Sequence, residues 1–232
     1  MGTHRSGDGY ADFEKHHGVH WLDRFLQDAL VLMQTVQLPP SPIAGLRTVE
    51  LGPGDQARLQ VFFDQNPAYF VAVNGEPAAA DEAHKEMQDQ PPADWPFTKK
   101  WQIGYQDDTG AVAALAIVIT DLLAAGVWHI SLFILATARH GSGDARTLHQ
   151  GLQSWAHVNG AEWLRLGVVQ GNTRAERFWE SMGYLQTRTR AGVQMGQRSN
   201  TLRVMVKPLD GGSIQEYLAL VPRDRPEVPV AL

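Results

Sequence analysis

Residues 128–145, WHISLFILATARHGSGDA, constrain this 232-residue chain more than any other stretch. They open as an apolar, β-branched run broken only by His129 and Ser131, which reads as a strand buried on both faces of a sheet. The run stops between Ala136 and His140. Gly141-Ser142-Gly143 then brings backbone to the surface without Cβ atoms at the two glycines, and from Asp144 onward Ala145, Leu148, Leu152 and Trp155 recur at helical spacing. The unit is strand, glycine turn, helix.

Such a turn aims unpaired backbone NH groups, at the positive end of a helix, toward one spot. That spot suits a phosphate or pyrophosphate. Arg139, His140 and Arg146 would add positive charge, whereas Asp144 opposes an anion unless its carboxylate turns away to cap the helix. A lone Gly-Ser-Gly also serves as a plain tight connection, so a second signal is needed.

Composition narrows the field. With 44% hydrophobic residues the chain can bury one full core, and we expect one domain with extensions. A net charge of -5, with Lys and Arg scattered along the sequence, predicts no partnership with nucleic acid or anionic lipid. Absence of cysteine excludes disulfides, thiolate metal sites and a cysteine nucleophile. No apolar run is long enough to span a bilayer and the first residues lack a signal-peptide core, so a cytoplasmic location is expected.

Taken in order, residues 1–45 form an N-terminal extension: a polar segment to about residue 19, an amphipathic helix over 21–37, and a stiff linker holding Pro39, Pro40 and Pro42. His4, His16, His17 and His20 lack the frame of a metal site, and no metal is expected. The helix stripe must be covered either by the main domain or by a second copy in a homodimer. The main domain, residues 46–208, begins with a strand at Leu46 to Glu50. A helix carrying Leu59, Phe62 and Phe63 ends at Asn66-Pro67, and a second helix runs from Pro77 to Met87. A hairpin (101–105 and 111–120), the opening strand and its helix, a strand at 162–169, a helix at 173–182 and a last hairpin (184–195 and 201–206) follow. Residues 209–232 read as a proline-rich arm. This order predicts an α/β fold with a mixed, mostly antiparallel sheet of six to seven strands and helices on both faces.

The order, with the glycine turn after the fourth strand and Asn172, Ala175, Trp179 and Gly183 on the helix after the fifth, resembles the GNAT superfamily of acyl-CoA-dependent N-acyltransferases over Leu46 to Lys207. The family's pyrophosphate loop falls on Ala138, Arg139, His140, Gly141, Ser142, Gly143, with Ala138 where a basic or amide residue usually stands. The resemblance implies that acetyl-CoA is the co-substrate, held by the loop from Arg139 to Ala145, including Asp144, by strand amides near Phe133, Ile134 and Leu135, and by Asn172, Ala175, Phe178 and Trp179. It also implies direct attack of a primary amine, on a small molecule or a protein, in a ternary complex.

Candidates for the proton transfers follow. Strand alternation would put His129 on the same face as Ser131 and Phe133, which makes it the expected base, with an unperturbed pKa of about 6.5. Glu82, on the helix that in the family borders the acceptor site, is the rival. Trp179 stands where the resemblance implies a tyrosine acid, and an indole NH cannot give up its proton. Tyr184 or a water is then expected to protonate the departing sulfur. A GNAT-fold module that binds CoA or a metabolite without turnover is the alternative reading.

Overall fold

The computed structural model describes residues 36–226. The expected polar segment 1–19 and nearly all of the expected helix 21–37 lie outside that range, as does the surface on which the homodimer expectation rests.

Seven strands form one sheet: β1 (Arg47–Glu50), β2 (Lys99–Gln106), β3 (Val112–Thr120), β4 (Val127–Leu135), β5 (Trp163–Val169), β6 (Leu185–Met195) and β7 (Arg198–Pro208). Their order is β1-β2-β3-β4-β5-β7-β6. Every neighbouring pair is antiparallel except β4 with β5, which run parallel around the crossover helix. β3, VAALAIVIT, is buried along its whole length, as expected of a central strand covered on both faces.

On one face, Leu59, Phe62 and Phe63 of α1 (Gln56–Gln65) and Phe70 of α2 (Pro67–Asn74) pack on Leu115 and Ile117 of β3 and Leu132 and Ile134 of β4. Each fully buried side chain of this size contributes about 1.5–3 kcal/mol of apolar burial. α3 (Glu82–Gln88) joins the same face through Ala83. On the other face Trp155 of α4 (Asp144–Val158) meets Trp101 and Trp128 edge-on, at 5.6 and 5.1 Å between ring centroids. α5 (Thr173–Ser181) follows β5.

Three expectations are corrected. Asn66-Pro67 ends α1, but Pro67, whose ring presets φ and whose missing NH is not needed at a first helical position, also opens the separate α2. The helix expected from Pro77 is only Glu82–Gln88. The arm expected beyond Pro208 is instead folded against the sheet through Asp224. α6 (Ile214–Leu220) starts on a capping box of Ser213 and Glu216, and a 3₁₀ turn covers Pro222–Asp224. Tyr217 and Val221 pack with Val127, Trp163 and Val206, and this apolar contact is why the segment is ordered.

A bulge decides where β4 aims its side chains. Ile117 pairs with Leu132 and Val118 with Ile130, which leaves Ser131 as an extra residue. Because facing alternates with period two, the inserted residue resets it.

Candidate active site

β4 pairs with β5 only from Val127 to Ile130, opposite Trp163 to Leu166. Beyond that rung β4 stays on β3 as far as Leu135, while β5 stays on β7 as far as Val169. The two strands part, and among the described residues one edge of β4 from Ser131 to Leu135 has no strand partner. A cavity of about 420 Å³ opens there and reaches the glycine turn. β4 lines it with Phe133, Ile134 and Leu135, α2 with Tyr69 and Ala72, the turn with Arg139, His140, Gly141 and Gly143, and α4 with Ala145 and Arg146. α5 supplies Asn172 at its start, then Arg174, Ala175, Phe178 and Trp179.

The turn is built as a cradle. Gly141 and Gly143 have φ of +85° and +91°, a region costly for any residue with a Cβ, and a Cβ at either would point into open space. Among the described residues the amides of Gly141, Gly143, Ala145 and Arg146 make no hydrogen bond, as expected of a helix N-terminus waiting for an acceptor. Ser142 and Asp144, expected beside the cofactor, do not line the cavity but brace the turn. Ser142 Oγ donates to Arg139 O (2.8 Å) and accepts from Asp144 N (3.1 Å), and the Asp144 carboxylate accepts from Arg139 Nη1 (2.7 Å). The opposition expected from Asp144 is thereby neutralised by ion pairing instead of by capping. His140 Nε2 lies 3.0 Å from Leu135 O, which tucks the ring under the turn.

Asn66, read in the sequence only as a helix stop, anchors this cradle. Its Oδ1 accepts from Thr137 N (2.6 Å) and Thr137 Oγ1 (3.0 Å), and its Nδ2 donates to Phe62 O (2.7 Å). The start of the turn is thus tied to the junction of α1 and α2. No local signal marks this role, because its partner lies 71 residues away.

Asn172 Oδ1 caps α5 by accepting from Ala175 N (3.3 Å). Phe178 stacks on Phe133 with centroids 6.1 Å apart and planes 9° from parallel, and Trp179 leans on both rings at 4.9 and 5.8 Å. Ala175, one turn before Phe178 and Trp179 on the same helix, lines the cavity beside this aromatic wall. Tyr184 is elsewhere: it is buried behind Trp179, and its hydroxyl is 2.9 Å from Nε2 of the fully buried His149. Burial pushes the Tyr184 phenol well above its ordinary range, so it neither lines the cavity nor yields its proton readily. Tyr69 is the one tyrosine among the described residues that line it. Burial, then the carboxylates of Glu86 and Glu82, push its phenol upward, so it stays protonated.

His129 and Phe133 do not share a site. Because the bulge at Ser131 resets the alternation, His129 and Ser131 line a second cavity of about 230 Å³ with Glu86, Lys100 and Trp95, while Phe133 lines the first. Nδ1 of His129 lies 3.1 Å from Arg165 O and 3.2 Å from Arg165 Nη1. As donor to the carbonyl or as acceptor from the guanidinium, that atom is engaged within the fold. Burial and the Arg165 charge lower the His129 pKa to about 3, which leaves it a weak base. Glu82 lines neither cavity. Glu86, one turn further along α3, lines the second, and burial raises its carboxyl above the ordinary range despite Lys100 Nζ at 3.6 Å.

The donor set fits a nucleotide diphosphate with a long, partly apolar arm: free amides and Arg146 and Arg174 at one end, an unpaired strand edge and an aromatic wall along the other. Among the described residues no three His, Cys, Asp or Glu side chains gather as metal ligands, and no helix is long and apolar enough to cross a membrane.

Comparison with known proteins agrees with this geometry. An acetyltransferase from Thermus thermophilus superposes with a TM-score of 0.57 at 18% identity, over 72% of this chain and 98% of that one. A spermidine N-acetyltransferase from Vibrio cholerae, solved with CoA and spermine, gives 0.54 at 16% identity over 72% and 97%. The ribosomal-protein-S18-alanine N-acetyltransferase from Escherichia coli gives 0.51 at 14% over 72% and 96%. At these identities the likeness is one of fold. No curated protein matches in sequence. Residues 58–184, more than half of the chain, match the profile of the Acetyltransferase (GNAT) family. The parted strands, the glycine cradle and this match agree, and the chain belongs to the GNAT acetyltransferase family.

Proposed function

We propose that this protein is an acetyl-CoA-dependent N-acetyltransferase acting on a primary amine by direct transfer. The parting of β4 from β5 over a cavity that ends at the free amides of Gly141 and Gly143 carries the proposal. The cradle with Arg146 and Arg174 would hold the diphosphate, and Asn172, Ala175 and the Phe133–Phe178–Trp179 wall would hold the arm. Acetyl-CoA, when bound, supplies an acyl group activated as a thioester.

The chain's own groups handle orientation and protons. The unpaired edge of β4 positions the carbonyl and offers it backbone donors. Ser131 stands on that edge and faces the second cavity, so the amine arrives from the side of Glu86, Lys100 and Trp95. Glu86 takes the amine proton on a carboxylate oxygen; its raised pKa brings it nearer to the working pH than His129, lowered to about 3. Tyr69 Oη, kept protonated, donates a hydrogen bond to the departing sulfur, which leaves as a thiolate.

Calorimetry with CoA and thiol release from acetyl-CoA across an amine panel test this reading. Gly141→Val is expected to weaken CoA binding at least tenfold while the thermal midpoint moves by only a few degrees. Tyr69→Phe is expected to lower kcat about tenfold with CoA affinity intact, less than the ~10²–10⁴ ascribed to a general acid, because a thiolate already leaves acceptably. CoA binding without thiol release for any amine would favour the non-catalytic binding module; no CoA binding at all would end the proposal.

A further inference from the structure

Arginines that are dispersed along the sequence converge beside the second cavity. Arg165 on β5, Arg190 on β6 and Arg223 in the C-terminal 3₁₀ turn bring their guanidinium carbons to 6.0, 5.6 and 3.8 Å from the centroid of the Trp95 ring. One carboxylate serves them. Asp224 accepts from Arg165 Nε (2.7 Å) and Nη2 (3.1 Å) and from Arg190 Nη2 (3.1 Å), and among the described residues Arg223 makes no ion pair. Nε of Arg190 is buried and has no acceptor among the described residues. Burial first, then the Arg165 charge, holds Arg190 below the usual arginine range, the sign of cations crowded without enough anions.

An orphaned buried donor beside excess positive charge describes a site short of one anion. Guanidinium groups present their NH donors as a planar fork matched to carboxylate and phosphate oxygens. Trp95 and His129 connect this cluster to the second cavity, since both line it while Trp95 carries Arg223 and His129 touches Arg165. Glu86 and Asp89 line the same cavity, with Lys100 Nζ 3.6 Å from the Glu86 carboxylate. The cavity therefore carries carboxylates in its lining, while the arginines gather around two of its other lining residues, Trp95 and His129.

We propose that the cluster receives an anionic group of the acyl acceptor, so that the acceptor is a primary amine carrying a carboxylate or phosphate on a short chain, with its amine beside Glu86 and its anion on Arg190 and Arg223. This rests on the reading of the second cavity as the acceptor side. Arg165, held by Asp224 through both Nε and Nη2, does not itself bind, whereas Arg190 gives Asp224 only Nη2 and keeps Nε for the anion.

The test is calorimetric titration of the CoA-saturated protein with two matched pairs, 4-aminobutyrate against butylamine and O-phosphoethanolamine against ethanolamine. At least one anionic amine is expected to bind at least tenfold more tightly than its counterpart, with the preference shrinking as salt rises. Whichever does so identifies carboxylate or phosphate as the group. Arg190→Gln with Arg223→Gln is expected to abolish the preference and leave CoA affinity unchanged. Arg223→Gln alone, on an exposed side chain, should reduce it if the double variant folds poorly. Equal affinities within both pairs, tighter binding of the uncharged-chain amines, no binding of any of the four, or a preference that survives the substitutions would each overturn the proposal. Should CoA itself not bind, the acetyl-CoA reading fails separately, and the same pairs titrated into the free protein still decide the arginine cluster.

Discussion

Asp224→Ala is expected to destabilise the protein by about 3–5 kcal/mol, read as a fall in the urea midpoint at constant slope. Asp224 is fully buried and accepts from Arg165 Nε and Nη2, from Arg190 Nη2 and from Tyr217 Oη at 2.6 Å. Removing it leaves Arg165, 4% exposed, as an uncompensated buried charge and strands the Tyr217 hydroxyl. Burial pushes the Asp224 carboxyl up, but the hydrogen bonds and charge of Arg165 more than offset this and hold it below the usual range. A depressed carboxyl contributes stability that is present above its unfolded pKa, about 3.9, and lost as pH falls through the folded value. The Asp224 contribution is therefore intact at neutral pH, where the variant is compared. Arg165→Met combined with Asp224→Leu should recover much of the loss, because an apolar pair avoids the unpaired charge. If Asp224→Ala shifts the midpoint by less than the experimental scatter, the C-terminal turn is not holding Arg165 as described.

A second large effect lies in the pH dependence of stability. His129 and His149 both have pKa values lowered to about 3, in each case chiefly by burial. Unfolded, each would titrate near 6.5, so between roughly pH 6.5 and 3 the unfolded chain binds more protons and stability falls as pH falls. Each histidine contributes a slope of about 1.4 kcal/mol per pH unit within that window, and the two together can exhaust the stability of an ordinary domain before the carboxylates titrate. His149→Gln keeps a partner for the Tyr184 hydroxyl and should remove about half of the slope between pH 6 and 4. A flat stability profile across that range would show that neither imidazole is buried neutral.

Much of the fold is visible in local patterns. The run before Gly141, the two glycines at positive φ, and the spacing of Asn172, Ala175 and Trp179 specify a strand, a turn and two helix starts from neighbouring residues alone, and all appear at those places. Most of the residues expected to hold the cofactor gather on one cavity for the same reason, since they sit on just three contiguous stretches. The expected base is less legible. Alternation places His129 with Phe133 only while β4 has no bulge, and the extra residue at Ser131 arises from pairing with β3, which no window around His129 contains. The acidic helix is recognisable as a run of Asp81, Glu82 and Glu86. Which carboxylate turns inward depends on how α3 lies on β2, where Lys100 Nζ bonds to the Glu86 carbonyl at 2.7 Å.

What the residues determined alone is the run of seven strands and the glycine turn with the helix that follows it, because hydrophobic period and the sterics of a missing Cβ act over a few positions. The tertiary structure decided which distant charges meet. Arg165, Arg190, Arg223 and Asp224 sit on three separate segments and show no pattern in sequence, yet sheet order and the docked C-terminal turn bring them to one point. Electrostatic neighbourhood follows from burial and distance in space, and neither is encoded in the interval between two residues along the chain.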